Sequence, residues 1–349
     1  MVRIGFDFDG VISESAVFKC EKIKELYNIK LEPWQLTSNV INDFVPDKEI
    51  RRSINSLSAQ TLHPKFVDEK MIEIFQKLVD SGAELYIISR RGKSNKGVEL
   101  GNNTIKELNI GKFFKEIIFC ETDDDKVEKI KEKKLDLFID DRTGVIEGIH
   151  KSIDFPILFD EYDLVNKGLL KCNEEFTIAN NLESLLNYAN ILYLIKKSLN
   201  ILVSEKIIDI PDKYEIVSYL NNIVIKVSSL YLKIYNGSST IKDNELILYK
   251  EIKNTELFKE MIYQGVVESD KKYDFALFKP IEGKTLDFVE FKDKDAEEIA
   301  KSIHDFIRYT SKIKCNKFGD INEKFEGAYK TLSKSISLNF SIKRQPRCI

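Results

Sequence analysis

The sequence predicts an α/β protein whose first half forms a parallel sheet with a small helical cap, followed by an α+β lobe. Three observations support this. Short apolar runs alternate with amphipathic stretches over residues 1–165, which is typical of strands joined by crossover helices. These apolar runs are nearly continuous, as expected of strands buried on both faces of a sheet. Beyond residue 209, strand-like segments follow one another with turn residues between them, which indicates an antiparallel meander.

Length and composition narrow the class of protein. A chain of 349 residues is too long for one compact core and suits two domains. The formal net charge is −3, so no overall basic field indicates a nucleic acid polymer or an anionic membrane as a partner. The five Cys are widely spaced, which argues against a disulfide framework or a zinc cluster. The N-terminus carries two Asp within its first nine residues, unlike a signal peptide, and we expect a cytoplasmic protein.

The first domain is predicted to span residues 1–165. Its buried strands are expected at 2–8, 84–89, 116–120, 135–139 and 156–159. Helical patterns occupy 18–26, 46–58 and 68–80. The last pattern has apolar residues at three- and four-residue spacing and predicts a crossover helix, whereas the segment of about 15–64 is expected to form an inserted cap.

The second half changes character. Residues 166–209 are predicted as a helical linker with a helix at 182–202, and residues 210–349 as the second domain. Strands are expected at 215–220, 223–227, 230–235 and 273–280. Helices are expected at 243–253, 256–263 and 294–311. A meander of strands followed by helices belongs to the α+β class.

Acidic side chains end two of the predicted strands in the first domain. Asp7 and Asp9 follow the first strand, with Gly10 next, and the pair Asp140 and Asp141 ends a later one. Ligands of an open α/β sheet bind at the carboxyl ends of its strands, so we expect these carboxylates to meet. Paired carboxylates repel one another unless a cation is present, and Mg²⁺ prefers oxygen ligands. A strand-end Asp is also an ordinary turn residue, but a second pair in the same setting favours a metal site.

Two further residues complete an ordered set of four motifs. Ser89 ends a predicted strand, and Lys126 opens a helix before the strand that ends in Asp140. With these residues and the DxDGV segment that begins at Asp7, residues 1–165 resemble the haloacid-dehalogenase-like (HAD) phosphohydrolase superfamily, whose sheet is Rossmann-like. The runs IGFDFDGVI and FIDDR are also similar to the 5′(3′)-deoxyribonucleotidase branch of that superfamily.

The resemblance implies a chemical role for each acidic residue. Asp7 would attack phosphorus and form an aspartyl-phosphate, and Asp9 would protonate the leaving group and then activate water. Mg²⁺ would be held by Asp7, by the backbone carbonyl of Asp9, and by Asp140 or Asp141.

The resemblance implies that Ser89 and Lys126 hold the transferring phosphoryl oxygens. Both residues have a plainer interpretation. Ser89 is also typical of a turn, and Lys126 lies in a charged run, DDDKVEKIKEKK, that suits a solvated helix face. Lys129 or Lys131 of that run could take the place of Lys126.

Other side chains near the predicted site have less specific signals. Arg90, Arg91 and Arg142 flank it and could clamp a phosphate, although arginine is usually exposed. Three aromatic residues of the cap could stack against a base: Trp34, Phe44 and Phe66. Aromatic residues in a small cap are more often core, so the sequence does not assign a nucleotide substrate.

The second half carries Lys233 at an inward-facing position of the strand 230–235, and Glu245 on the next predicted helix. This order resembles the N-terminal lobe of aminoglycoside-phosphotransferase and choline-kinase-like proteins. The resemblance implies that Lys233 contacts ATP phosphates, that Glu245 pairs with it, and that 275–281 form a hinge. The Gly-rich loop, catalytic loop and metal-binding Asp of that family are missing from this sequence. The prediction is therefore a truncated or degenerate lobe, with an unrelated α+β domain as the alternative.

The sequence thus predicts a Mg²⁺-dependent phosphohydrolase of a small-molecule phosphomonoester, with nucleotides among the candidates. Two alternatives stay open. One is a kinase-like nucleotide-binding or regulatory module with a vestigial phosphatase domain, and the other is a phosphotransferase that uses the same aspartyl-phosphate. The expected partners are a small phosphorylated metabolite and ATP at the kinase-like lobe, and neither a nucleic acid polymer nor a membrane is expected.

Overall fold

A computed structural model describes residues 1–91, 95–172, 176–236 and 260–280, together with residues 301, 303–305, 308, 318–321 and 327–329. The chain divides into two compact units, Met1–Lys196 and Lys197–Ile349. Within the described residues, no helix has both the length and the apolar character needed to cross a membrane.

The first unit is built on a six-stranded sheet in which all neighbouring strands are parallel. Its strands are β1 (Arg3–Phe6), β2 (Glu84–Arg90), β3 (Phe114–Cys120), β4 (Leu137–Asp140), β5 (Phe155–Phe159) and β6 (Thr177–Ala179). The strand order is β3-β2-β1-β4-β5-β6. The strands β2 and β3 therefore lie on one side of β1, and β4, β5 and β6 lie on its other side. Such an order leaves a crevice between the carboxyl ends of β1 and β4, where open α/β sheets bind ligands.

The strand β6 corrects the sequence prediction. Residues 166–209 are predicted as a helical linker, yet β6 pairs with β5 and continues the sheet beyond residue 165. At three residues, β6 is too short to show an alternation of apolar and polar positions, so its strand character comes from its pairing with β5.

Eight α-helices are assigned within the described residues. They are α1 (Ala16–Tyr27), α2 (Ile41–Phe44), α3 (Lys48–Ala59), α4 (Met71–Asp80), α5 (Asn95–Glu107), α6 (Asp123–Glu132), α7 (Thr143–Ile149) and α8 (Ser184–Ser204). The crossover helix α4 buries Met71, Ile74, Phe75 and Leu78 at the three- and four-residue spacing seen in the sequence. Phe75 packs edge-on against Phe6 of β1, with ring centroids 5.2 Å apart. The periodicity that predicted α4 is thus the face that it buries against the sheet.

Helices α1 to α3 form the small helical cap in the segment where the sequence predicts one. The cap has its own apolar core, formed by Ile23, Leu36, Ile41, Val45 and Ile54. An antiparallel bridge between Ser13 and Phe66 joins the two chain segments that enter and leave the cap. The cap is therefore a separately packed layer that is anchored beside the end of β1.

The second unit contains a five-stranded antiparallel sheet of order β10-β11-β9-β8-β7. Its strands are β7 (Tyr214–Ser218), β8 (Asn222–Val227), β9 (Leu230–Tyr235), β10 (Met261–Glu268) and β11 (Lys272–Phe278). A two-stranded sheet is formed by β12 (Phe318–Ile321) and β13 (Gly327–Tyr329). The prediction of a helix at 256–263 is wrong from Met261 onward, where β10 pairs along its length with β11. Pairing with a distant strand overrides the local helical pattern there.

Three predicted features of the second half fall wholly or partly outside the described residues. The helix at 243–253, with Glu245, and the residues beyond 280 of the predicted hinge lie outside them. Of the helix predicted at 294–311, residues 301, 303–305 and 308 are described, and they are helical.

Both faces of β9 carry buried residues. Leu232 and Ile234 are fully buried on one face of β9, and Lys233 lies half-buried on the opposite face. Its backbone neighbours across the sheet are Val224 and Ala276. That face also carries buried residues, since Tyr235 and Ala276 are 5% and 0% exposed, and the role of Lys233 stays a prediction.

Candidate active site

The acidic residues predicted from the sequence meet at the crevice between β1 and β4. Asp7 follows β1 directly, and its backbone N–H donates to the Ile139 carbonyl of β4 at 2.9 Å. Asp140 is the last residue of β4, and Asp141 follows it. One carboxylate oxygen from each of Asp7, Asp140 and Asp141 lies within 4.8 Å of the others. Three oxygen donors at this spacing fit a hard cation such as Mg²⁺.

Among the described residues, this cluster does not include the Asp9 carboxylate. Its Oδ1 accepts a hydrogen bond from Arg91 Nη2 at 2.7 Å. The Arg91 side chain is only 3% exposed and lies over the Phe8 ring, at 5.1 Å from the centroid. Burial raises the pKa of Asp9, and the Arg91 cation opposes that rise. The sequence left two possibilities for Arg91, a group flanking the site or an exposed arginine, and the structure shows it buried beside Asp9.

Lys126 lies at the centre of the acidic cluster. The helix α6 begins with a capping box in which the Thr122 hydroxyl accepts from the Asp125 N–H and the Asp125 carboxylate accepts from the Thr122 N–H. The following turn places Lys126 Nζ 2.7 Å from Asp7 Oδ1 and 2.5 Å from Asp140 Oδ2. Lys126 is therefore in direct ionic contact with both carboxylates.

The solvated-helix interpretation of the charged run does not apply to Lys126. Its side chain is 2% exposed, whereas Lys129 of the same helix is exposed and pairs with Glu132. Burial by itself lowers the pKa of Lys126, but the Asp140 and Asp7 carboxylates more than offset this and raise the pKa above its usual value. Lys126 is therefore held as a cation in the site.

The other two carboxylates of the cluster are destabilised as anions. Burial and the nearby Asp7 charge raise the pKa of both Asp140 and Asp141, while Lys126 acts in the opposite direction. Lys126 opposes the rise for both carboxylates, and Lys19 and Arg142 also oppose it for Asp141, yet both pKa values stay raised. An added divalent cation would stabilise the ionised forms, which is the electrostatic condition for a metal site.

Ser89 and two arginines line the same crevice. Ser89 is buried at the penultimate position of β2. Arg90 and Arg142 both contact Asp123 at the start of α6, at 3.2 and 2.9 Å. A cavity of about 180 Å³, which we call the inner cavity, is lined by all three and by Asp7, Lys126 and Asp141. It joins carboxylates, a hydroxyl and cations around one space, as a site for a small anion beside a metal requires.

Backbone geometry at Gly10 brings the two acidic segments together. Gly10 has a φ of +87°, and a Cβ atom there would lie 2.9 Å from Asp141 Oδ2. From the cap, Asn39 Nδ2 donates to the Asp141 carbonyl at 2.6 Å, and Asn39 Oδ1 accepts from the Thr143 N–H at 3.2 Å. The cap thus contacts the loop that carries the acidic cluster.

Sequence reasoning missed Lys19 and Asn39, whereas it named Arg91 as a residue that flanks the site. Lys19, on α1, lines the crevice, and the Asp141, Asp9 and Glu14 carboxylates oppose the fall in its pKa that burial causes. Neither Lys19 nor Asn39 stands in a motif that could have revealed it, since both reach the site through the placement of the cap. For Arg91, its position directly after a strand end was the available signal.

The cap aromatics do not line the inner cavity. Trp34 and Phe44 pack edge-on against each other, with ring centroids 5.0 Å apart. Phe66 takes part in the bridge to Ser13. The structure therefore places Trp34 and Phe44 in packing within the cap, the alternative given with the base-stacking hypothesis.

Comparison with known proteins finds similarity to solved structures only. No family model and no curated protein matches the chain. A haloacid dehalogenase-like family hydrolase from Xanthomonas campestris is 12% identical, with a TM-score of 0.35, over 55% of this chain and 96% of that one. The L-2-haloacid dehalogenase of Xanthobacter autotrophicus with covalently bound chloropropionic acid is 10% identical, with a TM-score of 0.35, over 54% and 99%. At such identities these likenesses assign no activity to this chain.

Proposed function

We propose that this chain is a Mg²⁺-dependent phosphohydrolase that cleaves a small-molecule phosphomonoester through an aspartyl-phosphate. The observation that supports it most is the buried Lys126 held between Asp7 and Asp140, beside Asp141. Asp7, Lys126 and Asp141 line one cavity, and transfer through an aspartyl-phosphate uses a carboxylate nucleophile with cations that stabilise the phosphoryl oxygens.

In the first step, an Asp7 carboxylate oxygen attacks phosphorus, and the bond from phosphorus to the leaving oxygen breaks. The electron pair of that bond passes to the leaving oxygen, which takes a proton from Asp9. Arg91 positions Asp9 for this transfer through the 2.7 Å hydrogen bond to Oδ1. Lys126 and Ser89 stabilise the charge that develops on the phosphoryl oxygens.

In the second step, Asp9 removes a proton from water, and the water oxygen attacks the phosphorus of the aspartyl-phosphate. The bond between phosphorus and the Asp7 oxygen breaks, which releases inorganic phosphate and restores the Asp7 carboxylate. Asp7, Asp140 and Asp141 would hold Mg²⁺, which when bound would reduce the repulsion between a carboxylate nucleophile and an anionic phosphate.

The test measures phosphate release from nucleoside monophosphates, sugar phosphates and p-nitrophenyl phosphate, with Mg²⁺ or with EDTA. We expect release that needs the metal and that Asp7→Asn abolishes, while Asp124→Asn, an exposed position on α6, retains it. Chloride release from 2-chloropropionate, measured alongside, tests for dehalogenation. A folded protein that releases no phosphate from any ester would contradict the proposal.

Two alternatives from the sequence have their own tests. Transfer of phosphate to an added alcohol, in place of release, would indicate a phosphotransferase. For the second unit, nucleotide binding stays a prediction: ATP binding that survives Asp7→Asn but is lost in Lys233→Ala would support it, and no ATP binding would contradict it.

A further inference from the structure

The cap contacts the loop of the acidic cluster through the side-chain amide of Asn39. Its Nδ2 donates to the backbone carbonyl of Asp141 at 2.6 Å. Its Oδ1 accepts from the Thr143 N–H at 3.2 Å and from the Thr143 hydroxyl at 3.3 Å. Both polar atoms of the amide are therefore used, and both join the cap to the segment that follows β4.

Asp141 is the member of the acidic cluster that lies beyond the pairing of the sheet. The N–H of Asp7 donates to the Ile139 carbonyl of β4, and Asp140 is paired with Leu158 of β5. Asp141 comes after the last residue of β4. The sheet therefore fixes two of the three metal donors, whereas the third is positioned by the contacts that its loop makes.

The helix after this loop does not hold it by a cap of its own. The helix α7 begins at Thr143, and within the described residues the side chain of Arg142, which precedes it, makes no capping hydrogen bond. The first N–H of α7 donates to Asn39 Oδ1 instead. Asn39 therefore takes the place of a local helix cap, and it holds the loop on both sides of Arg142, at Asp141 and at Thr143.

Asn39 is itself fixed within the cap. The next two residues, Val40 and Ile41, are 2% and 7% exposed, and Ile41 belongs to the apolar core of the cap. Their N–H groups donate to the Thr37 carbonyl at 3.3 and 3.1 Å. A displacement of the cap would therefore carry Asn39 with it and withdraw the amide from the Asp141 loop.

We propose that Asn39 is a positioning residue that makes the Mg²⁺ affinity of the site depend on the placement of the cap. With the cap in place, the Asn39 amide holds Asp141 beside Asp7 and Asp140. Hydrogen-bonded partners of metal ligands set the position of those ligands and hence the affinity for the metal. This inference rests on the proposed function, because it concerns the metal site of the phosphohydrolase, and it adds a control of that site by the cap.

Coupling of this kind acts in both directions. If the placed cap strengthens Mg²⁺ binding by some factor, then bound Mg²⁺ favours the placed cap by the same factor. The metal and the cap therefore offer two independent measurements of one coupling, and neither of them requires a substrate.

The first measurement is the dissociation constant of Mg²⁺, from calorimetric titration of MgCl2 into the full chain at pH 8 without substrate. In Asn39→Ala we expect the dissociation constant to rise by about tenfold, the lower end of the range for such partners. Asn42→Ala is the matched control, because Asn42 is an exposed residue of α2 in the same cap, and its dissociation constant should equal that of the wild type. A residue that only stabilises the fold would lower the melting temperature in EDTA and leave the dissociation constant unchanged.

The second measurement is hydrogen–deuterium exchange of the wild type, with Mg²⁺ or with EDTA, which requires no variant to fold. We expect the amides of α1 and α3 to exchange about fivefold more slowly with Mg²⁺, although none of the three metal donors lies in the cap. In Asn39→Ala this protection should be lost, and in Asn42→Ala it should remain.

The outcomes separate the inference from the proposed function. If the wild type binds Mg²⁺ and Asn39→Ala binds it equally well, or if cap exchange is the same with Mg²⁺ and with EDTA, the inference is overturned and the phosphohydrolase stands. An equal loss of affinity in Asn39→Ala and Asn42→Ala also overturns it. If the wild type binds no Mg²⁺, the metal site of the proposed function fails, and the inference fails with it.

Discussion

Replacement of Lys126 by Met should destabilise the first unit strongly, because it removes the cation that faces the carboxylates. Methionine has a similar volume, so the change leaves packing largely intact and isolates the effect of charge. Lys126 is 2% exposed, and its partners Asp7 and Asp140 are 7% and 0% exposed, so solvent screens these contacts little. Without Lys126, carboxylate oxygens within 4.8 Å of one another repel by about 3.5 kcal/mol per pair at an effective dielectric constant of about 20. Loss of one partner of a buried ion pair typically costs about 3–5 kcal/mol, which agrees.

The effect of Lys126→Met on stability should depend on pH. The pKa values of Asp140 and Asp141 are raised in the folded protein, so their contribution to stability is fully present below the ordinary Asp pKa and is lost as the pH rises through the raised values. Loss of Lys126 raises these pKa values further. The variant should therefore lose more stability at pH 8 than at pH 5.

The assay is urea unfolding in EDTA at pH 8 and pH 5, repeated with Mg²⁺ at pH 8. Lys129→Met is the matched control, since Lys129 lies on the same helix but is exposed, and we expect it to cost about 0.5 kcal/mol or less. Mg²⁺ should restore more stability to the Lys126 variant than to the wild type. A loss below about 1 kcal/mol at pH 8, or an equal loss in both variants, would refute the electrostatic account of the site.

Three further predictions concern neighbouring positions. Arg91→Met should raise the pKa of Asp9, because the Arg91 cation lowers it. Since Asp9 must be protonated for the first step, the alkaline limb of the kcat/KM profile should move to higher pH, and an unchanged profile would contradict the positioning role. Gly10→Ala should lower the melting temperature and the phosphatase rate, since the residue has a φ of +87° and its Cβ would meet Asp141 Oδ2 at 2.9 Å. Glu161→Gln should raise the melting temperature above that of the wild type by more at pH 8 than at pH 5.5. The pKa of Glu161 is raised to about 7, so the stability linked to its protonated carboxyl is present below the ordinary Glu pKa and is lost as the pH rises through about 7. Melting curves of wild type and variant at both pH values check this, and equal shifts would contradict it.

Much of the first fold unit could be predicted from the sequence. Buried parallel strands are apolar along their whole length, so five of the six strands stand out as apolar runs. The helix α4 could be predicted because its buried face has the helical period. In contrast, β6 and β10 were missed, since their strand character comes from pairing with β5 and β11 rather than from their own residues.

The candidate site could likewise be predicted only in part from the sequence. Asp7, Asp140 and Asp141 could be placed together because each ends an apolar strand, and strand ends in a parallel sheet share an edge. Lys126 could be named only as one lysine among several in its run. Its selection over Lys129 required the orientation of α6 on the sheet, since one helical position decides between burial and solvent.

The sequence by itself determined which acidic side chains stand at the strand ends, because an apolar run followed by Asp is a local pattern. Only the tertiary structure decided the partners of those side chains. Arg91 reaches Asp9 across 82 positions, and Asn39 of the cap reaches Asp141 across 102. The inner cavity, which Lys19 of the cap and Asp141 both line, likewise exists only where the cap meets the sheet. Such contacts depend on the strand order and on the placement of the cap. Both are set by the burial of the apolar faces of helices and sheet, so the residues that form the contacts carry no signal of them in the sequence.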